Sequence, residues 1–119
     1  MAATLQRDRG NTDRIELRGR LHADDLKELE RTAASEIRRA GPIRLMVELI
    51  EFAGWEAAEN WHDLGFYVHH GDDIERIAIV GEGRWRSEAL MFAGAGLRKA
   101  PVEFFESREA ARADAWLAD

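Results

Sequence analysis

Residues 74–86 read Ile-Glu-Arg-Ile-Ala-Ile-Val-Gly-Glu-Gly-Arg-Trp-Arg, and no other stretch constrains the fold as tightly. An apolar core, Ile77-Ala78-Ile79-Val80, stops at Gly81, and Trp85 opens a new apolar stripe at helical spacing. A short β-branched run between turn signals is the pattern of a strand covered on both faces. Strands of that kind belong to βα units in a mostly parallel sheet. The chain therefore reads as an α/β domain.

The remaining pattern extends this reading in both directions. Thr4-Leu5-Gln6 predicts a short edge strand, followed by turn chemistry at Asp8-Arg9-Gly10-Asn11. Ile15, Leu17 and Leu21 alternate with Glu16, Arg18 and Arg20, the period-2 signature of a strand with one wet face, and Gly19 suggests a bulge. A first helix is predicted from Asp24, with Leu26, Leu29, Ala33 and Ile37 inward, Arg38 and Arg39 in the last turn, and Gly41-Pro42 as its stop. Ile43 to Ile50 is the next strand. Phe52-Ala53-Gly54 is expected to turn the chain into a second helix carrying Ala58, Trp61, Gly65 and Val68.

A third helix is predicted from Arg84, with Trp85, Ala89, Phe92, Ala93 and Leu97 inward and Gly94 and Gly96 weakening its end. Pro101 to Phe105 is the last strand. Ser107 is the expected N-cap of a fourth helix with Ala111, Ala115, Trp116 and Leu117 apolar. The predicted architecture is a mixed, mostly parallel sheet of four to five strands with four helices, in the order β-β-α-β-α-β-α-β-α.

At 119 residues this is one domain, 1–119, long enough to bury about two thirds of the surface its unfolded chain exposes. The absence of cysteine excludes disulfides, thiolate metal sites and cysteine nucleophiles. No apolar run approaches the length of a membrane span, and residues 1–10 lack a signal-peptide core, so a soluble cytoplasmic protein is expected. The net charge of −6 is carried by residues 51–80, where one Arg faces seven acids. A solvated acidic helix face accounts for it, and no nucleic-acid partner is expected, since phosphate binding needs clustered Lys and Arg.

The ordered pieces resemble the SpoIIAA-like proteins, single-domain relatives of STAS and CRAL-TRIO domains. The likeness spans about residues 14–118. It is carried by Gly19-Arg20-Leu21, Ile43-Arg44-Leu45-Met46-Val47-Glu48-Leu49, Phe52-Ala53-Gly54-Trp55, Arg76-Ile77-Ala78-Ile79-Val80-Gly81 with Trp85, Phe104-Phe105 and Ala115-Trp116-Leu117. The resemblance implies helices on the faces of a sheet whose first strand runs antiparallel to the rest. In the anti-sigma-factor antagonists that name the family, a serine in an Asp-Ser-Ser-Gly motif opens the second helix and is phosphorylated. Here that place reads Phe52-Ala53-Gly54-Trp55, and the only serines are Ser35, Ser87 and Ser107. A phospho-switch at that turn is excluded, and the amides from Gly54 to Glu56 are expected to face solvent or an anion.

Catalytic chemistry finds no foothold in the motifs. Gly81-Glu82-Gly83 fails as a dinucleotide fingerprint because the third glycine is replaced by Arg86, which leaves a tight strand-to-helix turn and no cofactor. Glu59, His62 and Asp63 share a helical face, with His69 and His70 beyond, but one Glu-x-x-His does not make a metal site. No serine has nucleophile context. An enzyme using Glu59, His62 and Asp63 is the third-ranked reading, and no metal is expected.

The tryptophans carry more. Trp55 and Trp85 each follow a parallel strand, at the carboxyl edge where open α/β sheets form ligand crevices. Either they are core or they line a site with Phe52, Met91, Phe92 and Leu97. The reading preferred from sequence is a non-enzymatic STAS-like regulatory or binding module acting through protein contacts or an apolar ligand. The alternative is a lipid or hydrophobic-ligand carrier whose third helix is a lid, with Arg84, Arg86, Arg98 and Lys99 meeting anionic headgroups in transient membrane contact. An unidentified protein partner or a homodimer belongs to the first reading.

Overall fold

A computed structural model describes residues 3–56, 73–93 and 100–119. Five strands form one sheet in chain order: β1 (Ala3–Arg9), β2 (Thr12–Leu21), β3 (Ile43–Trp55), β4 (Ile74–Gly81) and β5 (Val102–Glu106). β1 and β2 are an antiparallel hairpin, while β2–β3, β3–β4 and β4–β5 are parallel. The described residues hold three α-helices, α1 (Ala23–Ala40), α2 (Arg86–Phe92) and α3 (Ala110–Ala118). Short 3-10 turns at Gly83–Trp85 and Ser107–Glu109 lead into α2 and α3. Among the described residues the order is β-β-α-β-β-α-β-α, and the expected second helix, Ala58 to Val68, lies outside them.

The antiparallel β1, the alternation of β2 and the inward stripe of α1 match the sequence reading. Ile15, Leu17 and Leu21 are buried while Arg18 and Arg20 are exposed. The first turn of α1 is closed reciprocally by His22 and Asp25 in a capping box, with the His22 amide donating to Asp25 Oδ2 at 3.1 Å. At its other end the Gly41 amide donates to the Ile37 carbonyl at 2.8 Å.

Helices α1 and α2 cover one face of the sheet, where Leu29, Ala33, Ile37 and Ala89 meet Ile15, Leu17, Leu49 and Ile77. On the other face, Ala113 and Leu117 of α3 pack on Met46, Ala78, Val80 and Phe105. β4 is therefore buried on both sides, and Ile77 to Val80 are all at most 6% exposed. This is why its sequence is continuously apolar rather than alternating.

Two local expectations are corrected at the C-terminus. Ser107 is not the cap: it opens a 3-10 turn capped by Glu106, whose amide donates to Glu109 Oε1 at 3.0 Å, and Glu109 is the N-cap of α3. Ala111 and Ala115 are exposed, and Ala113 and Leu117 face the sheet. Trp116 and Leu117 pack on this core as predicted, and Ala113 joins them in place of Ala111 and Ala115.

A larger correction concerns β3. The sequence predicts its end at Ile50 and a turn at Phe52-Ala53-Gly54, but the strand runs to Trp55. It stays paired with β2 through two register breaks, in which Arg18 faces Ile50, Gly19 faces Phe52 and Arg20 faces Gly54. β3 thus inserts two extra residues, Glu51 and Ala53, and Glu51 takes a positive φ of 48°. The amides of this stretch are not free as expected, since Glu56 donates to the Leu21 carbonyl at 2.9 Å.

Candidate functional site: an apolar cavity beside four aromatic rings

The bulged end of β3 delivers Phe52 and Trp55 to the carboxyl edge of the sheet. The 3-10 turn after β4, closed by the Trp85 amide donating to the Glu82 carbonyl at 3.0 Å, delivers Trp85 to the same place. Phe92 arrives from the last turn of α2. Phe52 meets Trp55 edge-on at 5.0 Å between ring centres and 83°, and Trp85 at 5.1 Å and 76°. Trp55 stands 6.1 Å from Trp85 and 5.3 Å from Phe92. Edge-to-face contacts of this kind place the positive rim of one ring on the negative face of the next.

Beside this cluster, between the sheet and the two helices, lies a cavity of about 110 Å³. Its walls come from Leu17 of β2, Val47 of β3, Ile79 of β4, Leu29 and Ala33 of α1, and Ala89 of α2, among others. Trp55 and Phe92 line it on the aromatic side. Among the described lining residues Glu30 is the only ionisable one. Chemically the site is an apolar container with a carboxylate in its wall.

The structure brings together four of the six residues expected to form a ligand site, Phe52, Trp55, Trp85 and Phe92. Trp55 and Phe92 line the cavity, whereas Phe52 and Trp85 support Trp55 from behind. Met91 is placed elsewhere: it is 76% exposed, because α2 turns Ala89 and Phe92 inward and leaves Met91 on its outer side. Leu97, Gly94 and Gly96 lie outside the described residues, and so do Arg98, Lys99, Glu59, His62, Asp63, His69 and His70. Arg84 and Arg86, expected to meet headgroups, are exposed, and their guanidinium carbons lie over rings, 4.9 Å from the Trp85 centre and 5.0 Å from the Phe104 centre. Trp116, on the opposite face, lies under Arg76 at 5.1 Å and beside Phe105 at 5.9 Å.

One feature of the site has no signal in the sequence. The indole nitrogens of Trp55 and Trp85 are both buried and find no hydrogen-bond partner. Buried indole donors are normally paired, and this pairing depends on neighbours that only the folded chain supplies.

A second polar cluster lies at the amino edge of the sheet. Asp13 is completely buried, 3.2 Å from Arg7 Nε, and Arg7 also reaches Glu36 of α1 at 2.5 Å. Burial raises the Asp13 pKa above its ordinary value, against the opposing pull of Arg7. Glu36 moves the other way, lowered chiefly by hydrogen bonds from Arg7 and Arg39. A clue existed, since Asp13 stands in register with Ile15 and Leu17 on the apolar face of β2. Among the described residues no three His, Asp or Glu gather to hold a metal, and no helix is long and apolar enough to cross a membrane.

The fold has solved counterparts. An uncharacterised protein of the DUF3478 family with a SpoIIAA-like fold, from Shewanella loihica PV-4, is similar with a TM-score of 0.71 and 24% identity, over 98% of this chain and 92% of that one. The anti-sigma-factor antagonist SpoIIAA in its unphosphorylated form is similar with a TM-score of 0.64 and 12% identity, over 97% of this chain and 98% of that one. At these identities the likeness concerns the fold alone. No curated protein matches the chain. The SpoIIAA-like family model matches residues 14–118, and the chain belongs to the SpoIIAA-like family.

Proposed function

We propose that this protein is a STAS-like regulatory or binding module that acts by holding a small apolar ligand at the carboxyl edge of its sheet, without catalysing a reaction. The observation that carries this reading is the cavity of about 110 Å³ lined by aliphatic side chains, with Trp55 and Phe92 along one side. A mostly apolar pocket with few polar groups is the usual form of a small-molecule site. A phosphorylation switch of the anti-sigma-antagonist kind has no acceptor here, because residues 52–56 carry no hydroxyl.

The decisive experiment is native mass spectrometry of protein purified from its own host, followed by titration of the stripped protein with Nile red. A retained apolar compound, or saturable dye uptake that the compound displaces, supports the reading. A protein that arrives empty and takes up no apolar probe overturns it. A retained phospholipid accompanied by vesicle binding would favour the carrier.

Protein contact is the second reading, favoured by Met91, a large hydrophobic side chain 76% exposed on α2. Arg84 and Arg86 flank the start of that helix and are also exposed. Pull-down from host lysate with wild-type protein and with Met91→Asp distinguishes this reading, which requires a partner lost on substitution.

A further inference from the structure

We propose that Asp13 is a proton-operated latch between the β1–β2 hairpin and the C-terminal end of α1. While Asp13 holds its proton, Arg7 ties Glu36 to the hairpin. When Asp13 ionises it draws Arg7 away and loosens the end of the helix. Three observations carry this.

The first is a buried carboxyl without a hydrogen bond. Asp13 is 0% exposed, and neither of its oxygens has a hydrogen-bond partner, although Arg7 Nε stands 3.2 Å from Oδ1. A carboxylate in this condition has lost its water and gained no aligned donor, so the neutral acid is the cheaper form. Among the described residues, the charged groups that face it are Arg7 from β1 and Glu36 and Arg39 from α1. Its register partner on β3 is the apolar Leu45. Burial, helped by Glu36, outweighs the two arginines and holds its pKa above the ordinary 3.8.

The second is a guanidinium whose fork is already engaged. Arg7 Nη1 donates to the Gly10 carbonyl at 2.9 Å, and Nη2 donates to Glu36 Oε2 at 2.5 Å. A guanidinium is planar and rigid. Aligning the Nε–H on Asp13 therefore turns the whole fork and gives up at least one of those bonds. Asp13 and Glu36 compete for one cation.

The third is that the exchange leaves Glu36 satisfied. Arg39, three residues on in the same helix, also donates to Glu36 Oε2, so Glu36 keeps a cation when Arg7 leaves. What is lost is an ion pair that joins α1 to β1. Leu29 and Ala33, in the turns just before Glu36, belong to the cavity wall, so the latch acts next to one side of the candidate site.

The test is a pH series rising from 3.8, the ordinary aspartate value. It follows the ¹³C signal of the Asp13 carboxyl and the amide hydrogen exchange of residues 37–41, corrected for the intrinsic rise of exchange with pH. Protection at 37–41 is expected to fall roughly 1.5- to 5-fold, the range of one partly exposed ion pair, with the same midpoint as the carboxyl. Asp13→Asn keeps the shape of the neutral acid and should show no step at that midpoint. Glu36→Gln has no charged bridge to lose, so its protection should start low and show no step there either. A wild-type carboxyl that titrates without a matching step at 37–41 overturns the latch. So does a carboxyl midpoint at or below 3.8, or a step that survives in either variant. Should Asp13→Asn fold poorly, the wild type and Glu36→Gln decide, because the Glu36 side chain is 21% exposed and its replacement leaves the core intact.

Discussion

Gly54 lies against the ring of Trp85 so closely that a Cβ at that position would stand 3.2 Å from Cη2 and 3.4 Å from Cζ3. The residue also has φ +101°, a conformation that side-chain-bearing residues rarely adopt. The last turn of β3 and the turn after β4 are thus fitted to each other at this contact, and Trp55 is held next to it.

Replacing Gly54 with Ala therefore adds backbone strain to a tight contact at one position. The expected loss is about 1–3 kcal/mol of folding stability, measured by urea unfolding. The intrinsic fluorescence should change as well, because Trp85 has to shift. A variant as stable as wild type would show that the close approach of Gly54 and Trp85 is not maintained in solution.

Gly81 makes the corresponding contact within the sheet. A Cβ there would stand 2.9 Å from both Cβ and Cδ1 of Leu49. Gly81→Ala is expected to cost about 1–3 kcal/mol through overpacking. Combined with Leu49→Ala it should cost somewhat less than the sum of the two single changes, since the contacts to Leu49 Cδ1 and Cγ are removed while the one to Cβ at 2.9 Å remains. Chemical denaturation of the four proteins in a double-mutant cycle measures that coupling, and strict additivity would refute the contact.

Asp13 gives a pH signature of unusual sign. Neither of its oxygens makes a hydrogen bond, although Arg7 Nε is 3.2 Å away. With its folded pKa raised above the ordinary 3.8, the folded state holds the proton more tightly than the unfolded one. Its stabilising contribution is then present below about 3.8 and lost as pH rises through the raised value. Glu36, with its pKa lowered from 4.5, behaves oppositely: its contribution is present above that value and lost on acidification. Asp13→Asn removes only the first effect. The stability of wild type minus that of Asp13→Asn should fall as pH rises above about 3.8, as read from urea unfolding at a series of pH values. A difference that rises with pH would mean that Arg7 outweighs burial.

Val47 lines the cavity and is only partly buried. Val47→Ile keeps the β-branched character that suits a strand and adds one methylene group. If that group enters the cavity, stability should rise by up to about 0.8 kcal/mol and cyclohexane should bind more weakly. Loss of stability with unchanged cyclohexane binding would place the empty volume elsewhere.

The features legible beforehand are those that a short window of residues encodes. Ile77 to Val80 reads as a strand covered on both sides because four consecutive apolar residues have no wet face to offer. The stripe Leu29, Ala33, Ile37 reads as the inner side of α1 because helical spacing repeats locally. The lack of a hydroxyl from Phe52 to Glu56 is a chemical fact of the chain, whatever its shape. The suspicion of a bulge at Gly19 and the pairing of Trp55 and Trp85 with the carboxyl edge also came from local punctuation.

Other features depend on partners far away along the chain, and only the tertiary structure decides them. β3 continues past Ile50 because β2 remains available to pair with it through two register breaks, a condition invisible within residues 50–55. Ala113 rather than Ala111 or Ala115 faces the sheet because it shares a face of α3 with Leu117, which packs on Met46, Ala78, Val80 and Phe105. The four rings meet because three separate elements end at the same edge, and the cavity is the volume their side chains leave unfilled. Asp13 is buried, and the indole of Trp55 unpaired, for the same reason: burial and hydrogen bonding are properties of a neighbourhood, whereas periodicity is a property of a segment.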